Sequence, residues 1–409
     1  MQQITELLAQ KINENRQAIC DFFKEKFTKY PAIFYNSVDL RHSSLKIAPV
    51  DTNCFPAGFN NLSDESKNLA KKIADEFFNQ HFPHAKKILL IPENHTRNLR
   101  YLENVKNLEE ILSDKREVRI ASISPEITQI TEINLEDGRK ITLYPLQQNQ
   151  EFLTTIDGFQ GEAAILNNDL SDGIPQILSQ TKTAISPSAN LGWHSRGKSN
   201  HFDIYNQIAA EISQILQIDP WLISSFHSFC DAVDFKTQQG MDKLAKLVDE
   251  LLEKLRQKYQ EYDIDSTPYC YIKADSGTYG MGVWPVFSGE DVLTINKKER
   301  NKMSAIKGSV ENHKVIIQEG ILTSDKINNK IAEPMIYLVN GKVVGNLFRV
   351  NENRDEKISL NATGASFFDL SNLENSDIFL GLAKDKIDII YCLISKMAAL
   401  AAAIENSKL

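Results

Sequence analysis

Two glycine-containing stretches of the sequence have the residue types and spacing that phosphate binding requires. The first, GWHSRGKS at residues 192–199, matches the pattern G-x-x-x-x-G-K-[ST] of a phosphate-binding loop. The second, YIKADSGTYGMGVWPV at residues 271–286, places Lys273 before a run of small residues between two β-prone ends. Glycine lets the backbone approach an anion closely, and a lysine supplies a point charge for a phosphate. Either stretch could therefore bind the phosphates of a nucleotide.

The first stretch lacks the context of a working phosphate-binding loop. Such a loop follows a buried strand, whereas the preceding residues TKTAISPSANL include Pro187 and several polar side chains. Its interior carries Trp193, His194 and Arg196, which are too bulky for a tight anion site. Three interpretations remain open: a nucleotidase loop, a polar loop that caps the following helix, and a basic loop that contacts substrate through Arg196 and Lys198. The residue types favour the capping loop.

The second stretch alone is also compatible with a hairpin that has a long loop, but the segments downstream of it are informative. They are, in order, VIIQEGI (315–321), AEPMIYLVNGKVVGNLFRV (332–350) and NRDEKISLNATGASF (353–367). This order resembles the ATP-grasp superfamily. In that fold a strand lysine and a glycine-rich loop cover the triphosphate of ATP, and a short apolar strand holds the adenine. The resemblance implies ATP and Mg²⁺ as cofactors and two α+β subdomains that enclose the ATP.

The resemblance also implies a role for each matching residue, as a ligand of the nucleotide, of the transferred phosphoryl group or of magnesium. The predicted ATP-binding residues are Lys273, Ser276, Gly277, Thr278, Tyr279, Gly280, Met281, Gly282, Gln318, Glu319, Ile321 and Glu333. The predicted catalytic residues are Lys273, Arg349 and Arg354, and the predicted metal ligands are Asn361 and Asp355. The C-terminal part lacks the Glu-x-Asn pair that ends many ATP-grasp enzymes. This leaves the metal ligands open and keeps a catalytically silent, nucleotide-binding relative as an alternative.

A closer resemblance, to the bacterial ATP-grasp type of glutamate–cysteine ligase, rests on four stretches spread over the chain. They are SVDLRHSSLKIAPVDTNCFPAGFNNL (37–62), PENHTRN (92–98), IKADSGTYGMGV (272–283) and LNATGASF (360–367). The family implies an ATP-dependent ligase in which the γ-carboxylate of glutamate becomes an acyl phosphate that the amine of cysteine attacks. The product, γ-glutamylcysteine, is the first intermediate of glutathione biosynthesis. Alternatives are another ATP-grasp carboxylate–amine ligase and, with less support, the nucleotidase with its loop at Gly192–Ser199.

Residues that could bind the amino-acid substrates are concentrated in the first of these stretches. The bidentate guanidinium of Arg41 suits an α-carboxylate, and the carboxylate of Asp39 or Asp51 suits an ammonium group. Cys54 is expected to be an inert small hydrophobe, because no partner base is evident. The predicted substrate residues are Asp39, Arg41, Asp51, Asn53, Arg97, Arg196 and Lys198.

The elements that must position these residues change in character along the chain. Helical periodicity alternates with short apolar strands in the first part, which predicts an N-terminal α/β domain over residues 1–215. Within it, residues 157–200 are rich in turn-forming residues and are expected to form long loops. Residues 216–409 are predicted to be an ATP-grasp domain of α+β type. Its lid subdomain is expected at about 265–320 and its C-terminal subdomain at about 321–409.

Composition restricts the partners and the location of the protein. The net charge of −8 indicates no basic surface for nucleic acid or anionic membrane, so the expected partners are small molecules: glutamate, cysteine and ATP. The five cysteines form no CxxC pair, which favours the reducing cytoplasm. The apolar run at 387–405 is interrupted by Asp388 and Lys396, and it is predicted to be a buried helix too short to span a bilayer. A homo-oligomer is compatible with the sequence.

Overall fold

The helices of the protein are spread over the whole chain. The computed structural model of the 409 residues describes 2–43, 45–95, 97–277, 283–296, 300, 313–352, 360, 364–372 and 384–409. The α-helices are α1 (Gln2–Glu14), α2 (Arg16–Lys29), α3 (Asp64–His81), α4 (Leu99–Leu112), α5 (Gln176–Ser179), α6 (Lys198–Leu216), α7 (Gln238–Glu261), α8 (Gly289–Thr294) and α9 (Lys384–Ser407). Single-turn 3₁₀ helices lie at Phe59–Asn61, Ala189–Leu191, Pro220–Ile223 and Leu370–Asn372.

The strands of the described residues form three sheets. They are β1 (Tyr35–His42), β2 (Ile47–Asn53), β3 (Lys87–Pro92), β4 (Glu117–Ser122), β5 (Thr131–Asn134), β6 (Lys140–Asn149), β7 (Phe152–Thr155), β8 (Ala163–Asn167), β9 (Ala184–Ser186), β10 (His227–Cys230), β11 (Cys270–Ala274), β12 (Trp284–Val286), β13 (Val315–Glu319), β14 (Lys326–Ile327), β15 (Lys330–Val339), β16 (Lys342–Val350) and β17 (Ser366–Asp369).

The first sheet is mostly parallel and has the order β5-β6-β4-β3-β8-β9, with β7 paired to β6. Its parallel pairs are β3 with β4 and β8, β4 with β6, and β8 with β9. Apolar residues of α3 and α4 share one core cluster with those of β3, β4 and β8. The predicted α/β character of this part is confirmed. The expectation of long loops over 157–200 was wrong at β8, a fully buried strand inside the sheet, because its five residues are too few to show a periodic pattern.

The second sheet is antiparallel, in the order β10-β13-β11-β12. Helix α7 covers one face, where Leu244, Val248 and Leu252 pack with Ile272 and Ile317 in a separate core cluster. Three of the four strands fall within the predicted lid subdomain, whereas β10 and α7 precede it. This sheet carries Lys273 at the edge of the space that faces the third sheet.

The third sheet is also antiparallel, in the order β17-β16-β15-β1-β2, with β14 paired to β15. A two-residue turn at Asn340 and Gly341, with φ values of 49° and 66°, joins β15 to β16. Asn-Gly is the residue pair that such a turn favours. Strands β1 and β2 come from the start of the chain, yet β1 pairs with β15 on one side and with β2 on the other. The predicted boundary at residue 215 therefore does not separate the sheets, because the N-terminal segment completes the C-terminal sheet.

Helix α9 covers the inner face of the third sheet together with α6. Ile390, Tyr391 and Ile394 of α9 pack with residues of α6, β1 and β16 in the largest core cluster. In the described part of the chain, α9 is the one helix that by length and composition could cross a membrane, so the predicted shortness was wrong. Its predicted burial is confirmed, since 72% of its most apolar window is buried inside the protein.

Candidate active site

The outer face of the third sheet carries five charged side chains on neighbouring strands. Side chains alternate between the two faces of a strand, so Val38 and Leu40 of β1 enter the core while residues 39 and 41 lie on the opposite face. Residue 51 of β2 is directly opposite residue 39, and residue 333 of β15 is opposite residue 349 of β16. We call this set the charged face; its members are Asp39, Arg41, Asp51, Glu333 and Arg349.

Two arginines and two carboxylates of the charged face form a buried ion-pair network. Arg349 Nη1 lies 3.2 Å from Asp39 Oδ2 and 3.4 Å from Glu333 Oε2, and Arg41 forms a salt bridge with the other oxygen of Glu333. Burial opposes the charge on Arg349, but Asp39 and Glu333 outweigh it and raise the pKa of the guanidinium. Burial raises the pKa of Asp39, and the nearby carboxylates of Asp51 and Glu333 reinforce that effect against the attraction of Arg349.

Lys273 reaches this network from the second sheet. Its Nζ lies 2.7 Å from Gln318 Oε1 and 3.2 Å from the carbonyl oxygen of Val50 on β2. Burial lowers the pKa of Lys273 to about 8; the charges of Lys198 and Arg41 add to this, and Asp51 opposes it. Among the described residues, no carboxylate forms a salt bridge with Lys273. Its two bonds go to neutral oxygens, so its charge is available to an anion.

The GWHSRGKS stretch contributes a second lysine to the same region. Lys198 Nζ lies 2.8 and 2.9 Å from the two carboxylate oxygens of Asp51, and 4.1 Å from the centre of the Trp193 ring. Burial alone would raise the pKa of Asp51, but Lys198, with help from Lys273, lowers it to about 2. The Lys198 side chain therefore points toward the charged face, as the basic-loop interpretation expects.

The N-terminus of α6, where a phosphate-binding loop would hold its anion, is occupied by a carboxylate of this chain. The backbone N–H of Ser199 donates to Asp275 Oδ1 at 2.8 Å, and its hydroxyl donates to Asp275 Oδ2 at 3.0 Å. A strand of three residues and a 3₁₀ turn precede the stretch, in place of a long buried strand. The nucleotidase interpretation thus has no structural support. The prediction that this loop itself caps the helix was wrong: the N-cap residue is Gly197, which has no side chain to do so, and the carboxylate comes from Asp275 of the other glycine-containing stretch.

Arg196, a predicted substrate residue, is engaged in an ion pair inside the protein. Its side chain is 3% exposed, and its Nε lies 2.7 Å from Glu405 Oε2 of α9. Arg196 Nη1 also donates to the carbonyl oxygen of Thr52 at 2.6 Å, and His201 Nδ1 bonds to Glu405. Burial would raise the pKa of Glu405, but Arg196 and His201 lower it to about 2. Arg196 is therefore part of a buried ion pair that joins α9 to the segment before α6.

The carboxylate of Glu319, a predicted ATP-binding residue, is likewise engaged inside the protein. Lys46 Nζ lies 2.8 Å from Glu319 Oε1, and the Trp221 indole N–H donates at 3.1 Å. The backbone N–H of Phe226 donates to Oε2 at 2.9 Å. The neighbouring Gln318 does reach the site through Lys273, and Ile321 is buried.

Of the remaining predicted residues, four are described by the structure and the others lie outside the described ranges. Asn53 Oδ1 accepts a local bond from Phe55 N at 2.8 Å. The Arg97 side chain is 91% exposed, with Glu126 at 3.8 Å, and no described contact joins it to the charged face. Ser276 and Gly277 are described at the root of the second stretch. The predicted residues that lie outside the described ranges are Thr278, Tyr279, Gly280, Met281, Gly282, Arg354, Asp355 and Asn361.

The described residues include no group of three or more His, Cys, Asp or Glu side chains that could hold a metal ion. Magnesium needs few protein ligands when it binds phosphates and water. All five cysteines are free, and burial raises the pKa of the Cys54 thiol to about 12, which agrees with the expectation that Cys54 is inert.

Comparisons with known proteins identify a family and a similar solved structure. The family model described as glutamate–cysteine ligase matches residues 9–406. The crystal structure of a protein named "Putative gamma-glutamylcysteine synthetase", from Methylobacillus flagellatus KT, is 38% identical with a TM-score of 0.91, and the match covers 100% of this chain and 97% of that chain. No curated protein matches the sequence.

Two further solved structures overlap far less well, and at this level of similarity they bear on neither fold nor function. D-alanyl-alanine synthetase A from Vibrio cholerae O1 has 13% identity and a TM-score of 0.34, with 74% of this chain and 78% of that chain covered. A glutathione synthetase-like effector from Globodera pallida has 10% identity and a TM-score of 0.40, with 87% and 79% covered.

Proposed function

The chain belongs to the glutamate–cysteine ligase family, and from that membership we propose that the charged face and Lys273 form the site of an ATP-dependent ligase. It joins the γ-carboxylate of glutamate to the amine of cysteine, as the first step of glutathione biosynthesis. One observation carries the placement of the site. Lys273, a cation without a carboxylate partner among the described residues, faces a surface rich in both acidic and basic groups.

The first step of the reaction is phosphoryl transfer. An oxygen of the γ-carboxylate attacks the γ-phosphorus of ATP, the bond to ADP breaks, and an acyl phosphate forms. Such a step depends on positioning and on neutralising charge and needs no protein nucleophile. Lys273 supplies the positive charge at the phosphates in this proposal, with Gln318 holding its ammonium group in place.

The second step is attack of the cysteine amine on the acyl carbon. The amide bond forms, inorganic phosphate leaves, and the amine must lose its proton. Asp39 is better placed than Asp51 to bind the ammonium and accept that proton. Both oxygens of Asp51 are taken by Lys198, whereas Asp39 Oδ1 makes no ion pair or hydrogen bond with a described residue. The Asp39 side chain is 23% exposed, so a substrate can reach it.

The positive charges of Arg41 and Arg349 offset the carboxylates of the charged face, so that the face can accept an amino-acid substrate that carries its own carboxylate. Both guanidiniums are tied to Glu333, which is itself buried between them. The predicted binding of an α-carboxylate by Arg41 remains a proposal. Magnesium enters the proposal as an ion bound to the phosphates of ATP, whose charge it would neutralise. Its predicted ligands, Asp355 and Asn361, lie outside the described residues, and no step above depends on them.

A cytoplasmic location and small-molecule partners complete the proposal. The free cysteines support a reducing compartment. The net charge of −8 argues against a nucleic acid as partner, and anionic substrates therefore need the local positive charge of Lys273.

The test of this function is ADP release by the purified protein with ATP, Mg²⁺ and amino acids added singly and in pairs. We expect release at full rate with glutamate and cysteine together, and γ-glutamylcysteine as the product. Hydroxylamine in place of cysteine should trap the acyl phosphate as a hydroxamate. Release of AMP, or full activity with a different pair of amino acids, would contradict the proposal.

The lowered pKa of Lys273 predicts an alkaline limit to ATP use. Only the protonated amine attracts phosphate, so kcat/KM for ATP should fall about tenfold per pH unit above about pH 8. The measurement uses saturating glutamate and cysteine at each pH, because cysteine titrates in the same range. In Lys273→Arg, whose guanidinium stays charged, the alkaline fall in kcat/KM for ATP should disappear. If this alkaline limb of the pH profile survives the change, it comes instead from another group, such as Lys46, whose pKa burial also lowers to about 8.

A further inference from the structure

Asp275 links the two glycine-containing stretches that compete in the sequence as phosphate binders. It lies two residues after Lys273 and is 5% exposed. Its carboxylate accepts from the backbone N–H and the hydroxyl of Ser199, and its backbone oxygen accepts from Lys198 N at 2.7 Å. The end of β11 is thereby bonded directly to the first turn of α6.

These bonds are part of a closed ring of contacts through three segments of the chain. Lys273 Nζ donates to Val50 O on β2 at 3.2 Å, and the next residue, Asp51, holds Lys198 Nζ at 2.8 Å. Lys198 N in turn donates to Asp275 O, which returns the ring to β11. The two lysines that reach the charged face are therefore fixed relative to each other.

The geometry around Asp275 leaves little room for another arrangement. A Cβ atom added to Gly197 would lie 2.6 Å from Asp275 Oδ2, so a larger residue there would have to displace the carboxylate that Ser199 holds. The carboxylate also lies at the N-terminus of a 19-residue helix, where the exposed N–H groups and the helix dipole favour a negative charge. Removing the carboxylate would take away both bonds to Ser199 and loosen the first turn of α6, from which the Lys198 side chain extends.

We propose that Asp275 is a positioning residue that holds Lys273, on the ATP side of the site, and Lys198, on the amino-acid side, in the arrangement needed for phosphoryl transfer. The proposal rests on the function given above. It implies that Asp275 acts on the reaction without touching substrate, because its oxygens are occupied by Ser199 and Lys198. Misplacing a catalytic group by about 1 Å costs on the order of 10²-fold in rate.

The test compares Asp275→Ala and Asp275→Asn with Asp369→Ala as the matched control. Asp369 is 6% exposed and accepts from Ser63 N and the Ser66 hydroxyl at the N-terminus of α3, but it has no contact with the two lysines. Removing it should therefore lower stability to a similar degree and leave the site intact. In Asp275→Ala we expect kcat/KM for ATP to fall roughly 10- to 100-fold. Asp275→Asn, which keeps an acceptor for Ser199 N, should recover part of that loss.

A second measurement separates positioning from a general loss of stability. The positive charge of Lys198 lowers the pKa of Lys273. If Asp275→Ala displaces Lys198, the pKa of Lys273 should rise, and the alkaline fall in kcat/KM should move to higher pH. Asp369→Ala should leave it unmoved. Equal losses in the two variants, or an unmoved limb in Asp275→Ala, would overturn the proposal. The dissociation constant for ATP, measured by calorimetry without amino acids, tests the positioning of Lys273 by Asp275 even if the wild-type protein fails to ligate glutamate and cysteine.

Discussion

Replacing Lys273 by alanine is expected to lower kcat on the order of 10²- to 10³-fold, the usual cost of losing one group that stabilises developing charge. The reason is that Lys273 combines proximity to the charged face with bonds to neutral oxygens only, whereas the other cations of the site are tied to carboxylates. The loss should appear in kcat and in the affinity for ATP, while the melting temperature changes little.

Lys198→Ala is the matched comparison, because it removes a lysine from the same region of the site. We expect its dissociation constant for ATP to stay within a few-fold of the wild type, since Lys198 is bound to Asp51. If GWHSRGKS were a phosphate-binding loop, the outcome would be reversed: Lys198→Ala would abolish ATP turnover, and Lys273→Ala would be tolerated. Calorimetric titration with ATP and single-turnover kinetics on both variants distinguish the two.

Local patterns account for where several residues of the candidate site lie in the fold. Lys273 stands at the end of an apolar strand before a glycine-rich loop, and Asp39 and Arg41 alternate with buried Val38 and Leu40. Alternation of this kind determines which face of a strand a residue occupies. The Asn340-Gly341 hairpin, the capped helix α3 and the amphipathic helix α7 are predictable for the same reason, since their signals lie within a few residues.

Pairings between distant segments were not predictable. Arg196 and Lys198 are two residues apart and both basic. Arg196 binds Glu405, 209 positions away, whereas Lys198 binds Asp51 of the charged face. Lys46 and Glu319 meet across 273 positions, and Asp275 and Ser199 across 76. The residue types alone show that such side chains are charged or polar, but they do not identify the partner of each one. Whether a cation meets substrate or a buried carboxylate depends on how the sheets and helices pack.

The pairing of β1 with β15 could not be predicted for the same reason. A single sequence contains no signal that places a strand near the N-terminus between β2 and a C-terminal hairpin, so the domain boundary at 215 followed composition rather than sheet order. This pairing matters for the site, because it brings Asp39 and Arg41 next to Glu333 and Arg349.

The buried pair of Arg196 and Glu405 leads to the largest expected effect on stability. Glu405→Gln should lower the free energy of unfolding by about 3–5 kcal/mol, because it leaves the guanidinium of Arg196 buried without a counter-charge. Arg196→Met should cost a comparable amount, and the double variant should be more stable than the sum of the two losses predicts. The exposed pair Lys182–Glu151, whose side chains are 64% and 58% exposed, provides the control. Glu151→Gln should change stability by no more than about 0.5 kcal/mol.

The stabilisation by Glu405 should also depend on pH in a defined direction. The pKa of Glu405 is lowered to about 2 in the folded protein, whereas an unfolded glutamate titrates near about 4.3. The contribution of this carboxylate is therefore fully present above pH 4.3 and is lost as the pH falls toward 2. In urea denaturation the difference between wild type and Glu405→Gln should be constant from about pH 6 to 8 and should shrink below about pH 4. A difference that is independent of pH, or one no larger than that of Glu151→Gln, would show that Arg196 is not held by an ionised Glu405 and would return it to the candidates for substrate binding.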